Sequence, residues 1–496
     1  MTNSTTTSLV TTPDADALRR STEVIAELPT VTAGPTFEIH DPATESPIAS
    51  AADCSVEQAL EMVTAADEAG AKWARTPLRT RADVLRRWYE LLLVRSEDIA
   101  LLITREMGKP LAEARAEVAY GADFVRWYAE EAVRPRGDAR ELPAGGAQLM
   151  TRRAPVGLSV LITPWNFPLA MATRKIAPAL AAGCATVIKP AALTPLTTIF
   201  AADLAVQAGV PEGLINVVTT KSASAFSDAV LRDSRVRKVS FTGSTGVGSA
   251  LMRLAADNVL RSSMELGGNA PLLVFDDADL DRAVTGAFAA KMRNGGQSCI
   301  AANRIFVQDG IADAFIEAFT EKMSKVLVGN GLAADVGLGP LIDDRAVASM
   351  TQLVTDAADR GADVRTGGQA LDGAGYFFAP TVLADVPTDA AVANEEIFGP
   401  IAAIQRFRTE DEAVARANAT EFGLAGYVFT ESLDRALNVA DRLETGLVGI
   451  NQGVPSNAAA PFGGIKQSGL GREGSAEGLE EYQSIRFYNI ARRATN

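Results

Sequence analysis

Apolar positions recur at helical spacing through the first part of the chain, over residues 59–73, 80–93 and 111–132. Ser55 and Gln58 stand at capping-box spacing ahead of the first of these stretches. Pro135 and Gly137 then break the pattern, and residues 141–153 place Pro143, Gly145 and Gly146 between short runs, which predicts a hairpin projecting from the body. Beyond Val156 the texture changes. Short apolar runs at 156–162, 185–188, 215–218 and 238–241 read as buried strands, with helical stretches at 169–182, 195–208, 223–231 and 246–258 between them. Strand–helix alternation of this kind predicts a parallel, doubly wound sheet. The texture returns at 272–275, 280–293 and 304–307, which predicts a second α/β domain, and 485–490 reads as a last strand.

With 496 residues the chain is too long for one ordinary core, which also favours two large domains. The hydrophobic fraction of 47% and charged fraction of 22% are those of a globular protein. A net charge of -14 without any Lys/Arg-rich run argues against a nucleic-acid partner. An anionic substrate would need a local basic pocket to overcome that field. No apolar run approaches the roughly 20 residues of a membrane helix; 177–188 is too short and holds Pro178 and Gly183. The Ser/Thr-rich start lacks a secretory pattern and is expected to be a mobile tail, 1–17. Three scattered cysteines, Cys54, Cys184 and Cys299, make no disulfide framework and suit a reducing cytoplasm. A lone histidine, His40, removes most Ser-His-Asp and zinc schemes, so no metal is expected and a base must be a carboxylate or lysine.

The unusual clusters fall where predicted strands end, the edge at which open α/β sheets bind ligands. Thr163-Pro164-Trp165-Asn166-Phe167-Pro168 follows the first strand, Lys189-Pro190 the second, Thr242-Gly243-Ser244 the fourth, and Glu265-Leu266-Gly267-Gly268 lies at the change of domain. Each has an ordinary alternative. Thr242-Gly243-Ser244 either presents free N–H groups to a phosphate or is a plain glycine-rich helix start. Lys189 either meets a cofactor or is a solvated strand end. Cys299, after Gly295-Gly296-Gln297-Ser298, is either a nucleophile or a buried structural thiol, the reading kept for Cys54 and Cys184. Glu265, flanked by Met264 and Leu266, suits a surface charge poorly.

Together with Glu396-Ile397-Phe398-Gly399-Pro400 and Pro461-Phe462-Gly463-Gly464, these segments resemble the aldehyde dehydrogenase superfamily over nearly the whole chain. The resemblance implies a Rossmann-like cofactor domain (18–137 and 156–265), a catalytic α/β domain (266–477) and a small β oligomerisation element (138–155 and 478–496). It implies Cys299 as nucleophile, Glu265 as the base that activates water, and Asn166 with the Cys299 N–H as oxyanion donors. Trp165, Lys189, Ala192, Gly243, Ser244, Leu266 and Glu396 match cofactor positions, Glu396 holding the nicotinamide ribose. A homodimer or homotetramer is implied.

Within the superfamily the likeness is strongest to the succinate-semialdehyde dehydrogenases. Arg174, Arg293 and Ser456 match their grip on the substrate carboxylate, for which the guanidinium fork is suited; the alternative is that the arginines form structural ion pairs. Ala192 replaces a glutamate common in NAD-preferring members and would not repel a 2′-phosphate, so NADP is expected, with NAD the alternative. Ala301 stands where some members carry a second cysteine, so no redox disulfide is expected. A glutarate-semialdehyde or broader aldehyde dehydrogenase is the nearest rival, and a cysteine ester or thioester hydrolase the rival of another class.

Overall fold

The computed structural model describes residues 11–29 and 34–492. Of the expected tail, 1–10 lies outside these residues. Asp14 already caps a helix, Ala15–Glu27, by accepting from the Ala17 N–H at 2.8 Å, so order begins before residue 17.

The first large core surrounds a six-stranded sheet. Its order is Gly469–Leu470, Arg261–Glu265, Val236–Thr242, Leu158–Ile162, Thr186–Lys189, Ile215–Val217, and every neighbour is parallel except the short first strand. Leu158–Ile162 is buried at every position, as a strand covered by helices on both faces must be. The helices predicted from periodicity form with small changes: Val56–Trp73, with the Ser55/Gln58 box intact, Leu78–Val94 and Leu111–Glu131. One helix had no periodic signal. Ser96–Met107 is buried at all positions from Asp98 to Met107, so it has no polar face to reveal it. Its charges are matched inside. Asp98 takes Arg20 at 2.7 Å, Arg105 takes Asp41 at 3.0 Å, and Glu106 caps the helix Leu196–Gln207 by accepting from the Leu196 and Thr197 N–H groups.

The second sheet has seven strands: Asp363–Thr366, Thr381–Ala384, Ile401–Phe407, Ala302–Gln308, Ala270–Val274, Ala425–Phe429, Leu447–Ile450. All pair in parallel except the antiparallel edge strand Asp363–Thr366. Two doubly wound α/β bodies were the expectation. The segment 266–477 is nevertheless not one uninterrupted body. Gly469–Leu470 pairs with Met264 and Glu265 in the first sheet, and Ala458, Leu479 and Tyr482 lie in the first core. The chain therefore crosses back before 477, where Gly469–Leu470 extends the edge of the first sheet by backbone pairing.

The predicted hairpin is real, with strands Gly137–Glu141 and Ala147–Pro155, and the last strand, Gln483–Ala491, pairs along its whole length with the second. That last strand is an outer edge, and Ile485, Phe487 and Ile490 on it are exposed.

Candidate active site

Register places the site. Ile162 pairs with Lys189 and Phe241, and Thr242 with Glu265, so the carboxyl ends of four parallel strands share one edge. The loops leaving that edge meet the loop that carries Cys299 across the boundary between the cores. Two glycines permit the approach. A Cβ on Gly268 would collide with the Cys299 carbonyl, and one on Gly296 with the Gly399 carbonyl. Gly296 is also left-handed (φ 77°), following Asn294 and Gly295 at φ 55° and 61°. This tight turn, Arg293–Gly296, ends the helix Leu280–Met292 and swings the chain toward the first sheet.

A cavity of about 260 Å³ opens at this junction. Cys299, Glu265, Asn166, Trp165, Gly243, Ser244, Leu266, Glu396, Arg174, Arg293 and Ser456 all line it; of the residues singled out in the sequence, Lys189 and Ala192 do not. Lys189 is buried at its strand end, its ammonium donating to the Pro190 carbonyl at 3.2 Å with no ion pair among the described residues. Burial lowers its pKa. Ala192 packs on the cluster of Phe37, Ile39, Ala51 and Leu196.

Asn166 is held from both sides. Its side-chain amide donates to the Gln297 carbonyl at 3.0 Å. Its own carbonyl receives the Lys109 ammonium at 2.8 Å and the Asn294 amide at 3.0 Å. Lys109 pairs with buried Glu117 at 2.6 Å, and Glu117 accepts from the Leu169 and Ala170 N–H groups at the start of helix Pro168–Ala182. One amide N–H of Asn166 is thus committed to the loop that carries Cys299.

The electrostatics suppress charge at rest. Burial first, then the field of Glu396, pushes the Cys299 thiol up to about 12. Burial and the neighbouring Glu473 raise Glu265 well above the ordinary carboxylate range. Both Glu265 oxygens lack a hydrogen-bond partner among the described residues. Burial also opposes ionisation of Glu473, but Lys175 and Arg174 outweigh it and hold Glu473 below the usual value. Of these two interacting carboxyls, ionisation is thus disfavoured at Glu265 and favoured at Glu473. Burial lifts Glu396 to about 7 against the Gly268 N–H, which donates to it at 3.1 Å, and against Lys291.

The two arginines line the same cavity and differ from each other. Arg174 lies 2.5 Å from Glu473, its guanidinium over the rings of Phe124 and Phe462. Arg174 thus forms an ion pair of the structural kind while still lining the cavity. Its charge is already shared. Arg293 has no ion pair among the described residues; its guanidinium lies over Tyr120 at 5.2 Å and Phe167 at 5.1 Å. The Tyr120 hydroxyl bonds Ser456. Tyr120, Glu473 and Lys175 were not singled out. Tyr120 sits on a long helix where an aromatic reads as core. Lys175 beside Arg174 on a wholly buried helix did signal a missing carboxylate, but its partner lies 298 residues away.

A part-exposed thiol, two carboxyls of raised pKa and a helix start thus meet around one cavity at the junction of the two cores, beside the sheet edge at which open α/β folds bind nucleotides. The profile of the aldehyde dehydrogenase family matches residues 30–488, and the chain belongs to that family. It is 54% identical over 444 residues to a succinate-semialdehyde dehydrogenase of Paenarthrobacter nicotinovorans, covering 90% of this chain and 99% of that one. It is 46% identical over 477 residues to the NADP(+) succinate-semialdehyde dehydrogenase GabD of Escherichia coli strain K12, covering 96% and 99%. The crystal structure of an aldehyde dehydrogenase from Brucella melitensis biovar abortus 2308 superposes with a TM-score of 0.92 at 47% identity, covering 94% and 96% of the two chains.

Proposed function

We propose that this chain oxidises succinate semialdehyde to succinate with NADP as its cofactor. The observation that carries the substrate is Arg293, a cation without a carboxylate partner among the described residues, lining the same cavity as Cys299 and Glu265. In a chain of net charge -14 it supplies the local positive charge an anionic aldehyde needs. Ser456 and Tyr120 line the same cavity, their hydroxyls bonded to each other so that one O–H of the pair remains to donate.

The residues present fit a phosphorylated dinucleotide. Ser244 starts the helix Thr245–Asp257 without a side-chain cap, leaving N–H groups for a phosphate. Lys189 is a buried ammonium without an ion pair among the described residues, and Ala192 adds no charge to repel a 2′-phosphate. Gly243, Ser244, Leu266 and Trp165 would hold the phosphates and nicotinamide, and Glu396 the ribose. NADP, when bound, supplies the hydride acceptor. Cys299 passes its proton to solvent as its sulfur bonds the aldehyde carbon, and the Asn166 amide with the Cys299 N–H receives the oxyanion. Loss of hydride leaves a thioester on Cys299. Glu265, once ionised, takes a proton from the attacking water; the C–S bond breaks, succinate leaves and the proton held by Glu265 returns to the sulfur.

A homodimer or homotetramer is part of the reading, because the edge strand Gln483–Ala491 leaves apolar side chains and unpaired backbone that a second chain would cover. So is a cytoplasmic setting; among the described residues no helix is long and apolar enough to cross a membrane. The test is a rate matrix of NADP and NAD against succinate semialdehyde, glutarate semialdehyde and an uncharged aldehyde of equal length. The first is expected to lead, with the uncharged aldehyde about 10- to 100-fold lower in kcat/KM. Equal rates with the uncharged aldehyde would remove the role of Arg293, and turnover of esters without reduction of cofactor would favour the hydrolase.

A further inference from the structure

One buried cation has no part in the chemistry above. Lys291, at the end of helix Leu280–Met292, is wholly buried (0% exposed). Among the described residues it forms no ion pair, and its ammonium donates to the Asn303 side-chain carbonyl at 3.1 Å. Burying an ammonium against one neutral acceptor is costly, and an apolar side chain would fill the same space without that penalty. A core-filling role therefore does not explain a lysine here.

Its surroundings lead to the cofactor side of the cavity. The Asn303 amide donates to the Gly268 carbonyl at 3.5 Å, and the Gly268 N–H donates to Glu396 at 3.1 Å. Lys291, Asn303, Gly268 and Glu396 thus form a connected path from the second core to the nucleotide cleft. The influence is mutual. Burial lowers Lys291 to about 7, and Glu396 is the carboxylate that opposes this. Lys291 in turn opposes the burial that raises Glu396. The ionisable groups facing Glu396 are Lys291 from the helix beneath it and Cys299 from the nucleophile loop.

We propose that Lys291 is a positioning residue for the cofactor: anchored on Asn303, it fixes the Gly268 backbone whose N–H orients Glu396 to accept the ribose hydroxyls. The proposal rests on the reading that Glu396 grips the ribose. An ionised carboxylate accepts stronger hydrogen bonds than a neutral acid, so the grip loosens as pH falls through the Glu396 pKa. Removing the lysine's charge raises that pKa, and the pH at which affinity is lost moves upward.

The experiment is a fluorescence titration of the apoenzyme with NADPH between about pH 6.5 and 9.5, which reads binding without turnover; one pKa step corresponds to about tenfold. Lys291→Met is expected to weaken binding about tenfold near pH 7 and to recover most of it near pH 9.5. Asn303→Asp keeps the lysine but offers it a carboxylate partner. It should shift the midpoint in the same direction, and it serves if Lys291→Met does not fold. Glu396→Gln separates the two levels of the claim. If it leaves NADPH affinity unchanged, Glu396 is not the ribose grip and the underlying reading falls. If it weakens binding while Lys291→Met and Asn303→Asp leave the pH midpoint at the wild-type position, the role of Lys291 falls alone. A loss equal at every pH would likewise mark Lys291 as merely structural.

Discussion

Arg174 and Arg293 reach one cavity from two unlike walls. Arg174 belongs to a helix buried at every position, and Glu473 and Lys175 bind it into an ionic cluster beside Glu265. Arg293 leaves a tight turn, is half-buried, lies against aromatic faces, and has no ion pair among the described residues, though Glu113 lies within its field. The same residue type thus does two things. What separates a stabilising arginine from one free to meet a substrate is the presence of a carboxylate in the apo protein, since a charge already compensated gains little from a second anion.

The strongest way to break this contrast is to remove Arg174. Arg174→Met leaves Glu473 short of a partner inside the core, and unfolding free energy in urea should fall by about 3–5 kcal/mol. Unchanged stability with a raised KM for carboxylated aldehydes would make Arg174 a second grip and erase the difference. Arg293→Met should do the reverse. It should lower kcat/KM for succinate semialdehyde by about 10- to 100-fold, leave the uncharged aldehyde nearly untouched, and keep stability within about 1 kcal/mol.

A subtler test uses pH on the Arg174 wall. Glu265 works as a base only when ionised, and its raised pKa means that thioester hydrolysis falls as pH drops through that value. Rapid mixing at low pH should show a burst of reduced cofactor before slow turnover. Glu473→Gln removes the like charge and releases Lys175 and Arg174 toward Glu265, so the acid limb should move to lower pH. An unmoved limb would disconnect the cluster from the base. The smallest expected effect belongs to Tyr120→Phe, which keeps the ring under Arg293 and deletes the hydroxyl bonded to Ser456. A rise in KM of about fivefold, near 1 kcal/mol, is expected in steady-state kinetics.

Much of this architecture was legible beforehand. The period of apolar positions marked the long helices of the first core, and short apolar runs marked the parallel strands, because one-face and two-face burial leave different periodicities. Ser96–Met107 escaped because burial on every side leaves no period at all. The motifs at strand ends located the loops around Cys299, Glu265 and Asn166, since backbone approach there requires glycine and the chemistry requires those side chains. The crossing at Gly469–Leu470 was not legible, because which sheet an edge strand joins depends on the cores and not on its own residues.

The sequence by itself settled which groups are available: a single thiol among polar neighbours, carboxylates in apolar settings, and arginines near both. Only the tertiary structure decided their states. Pairing Arg174 with Glu473, leaving Arg293 without an ion pair among the described residues, and burying Lys291 where it acts on Glu396 all depend on distances between segments far apart in the chain. Desolvation and Coulomb energy are set by those distances and by what excludes water, and neither is written in the order of residues.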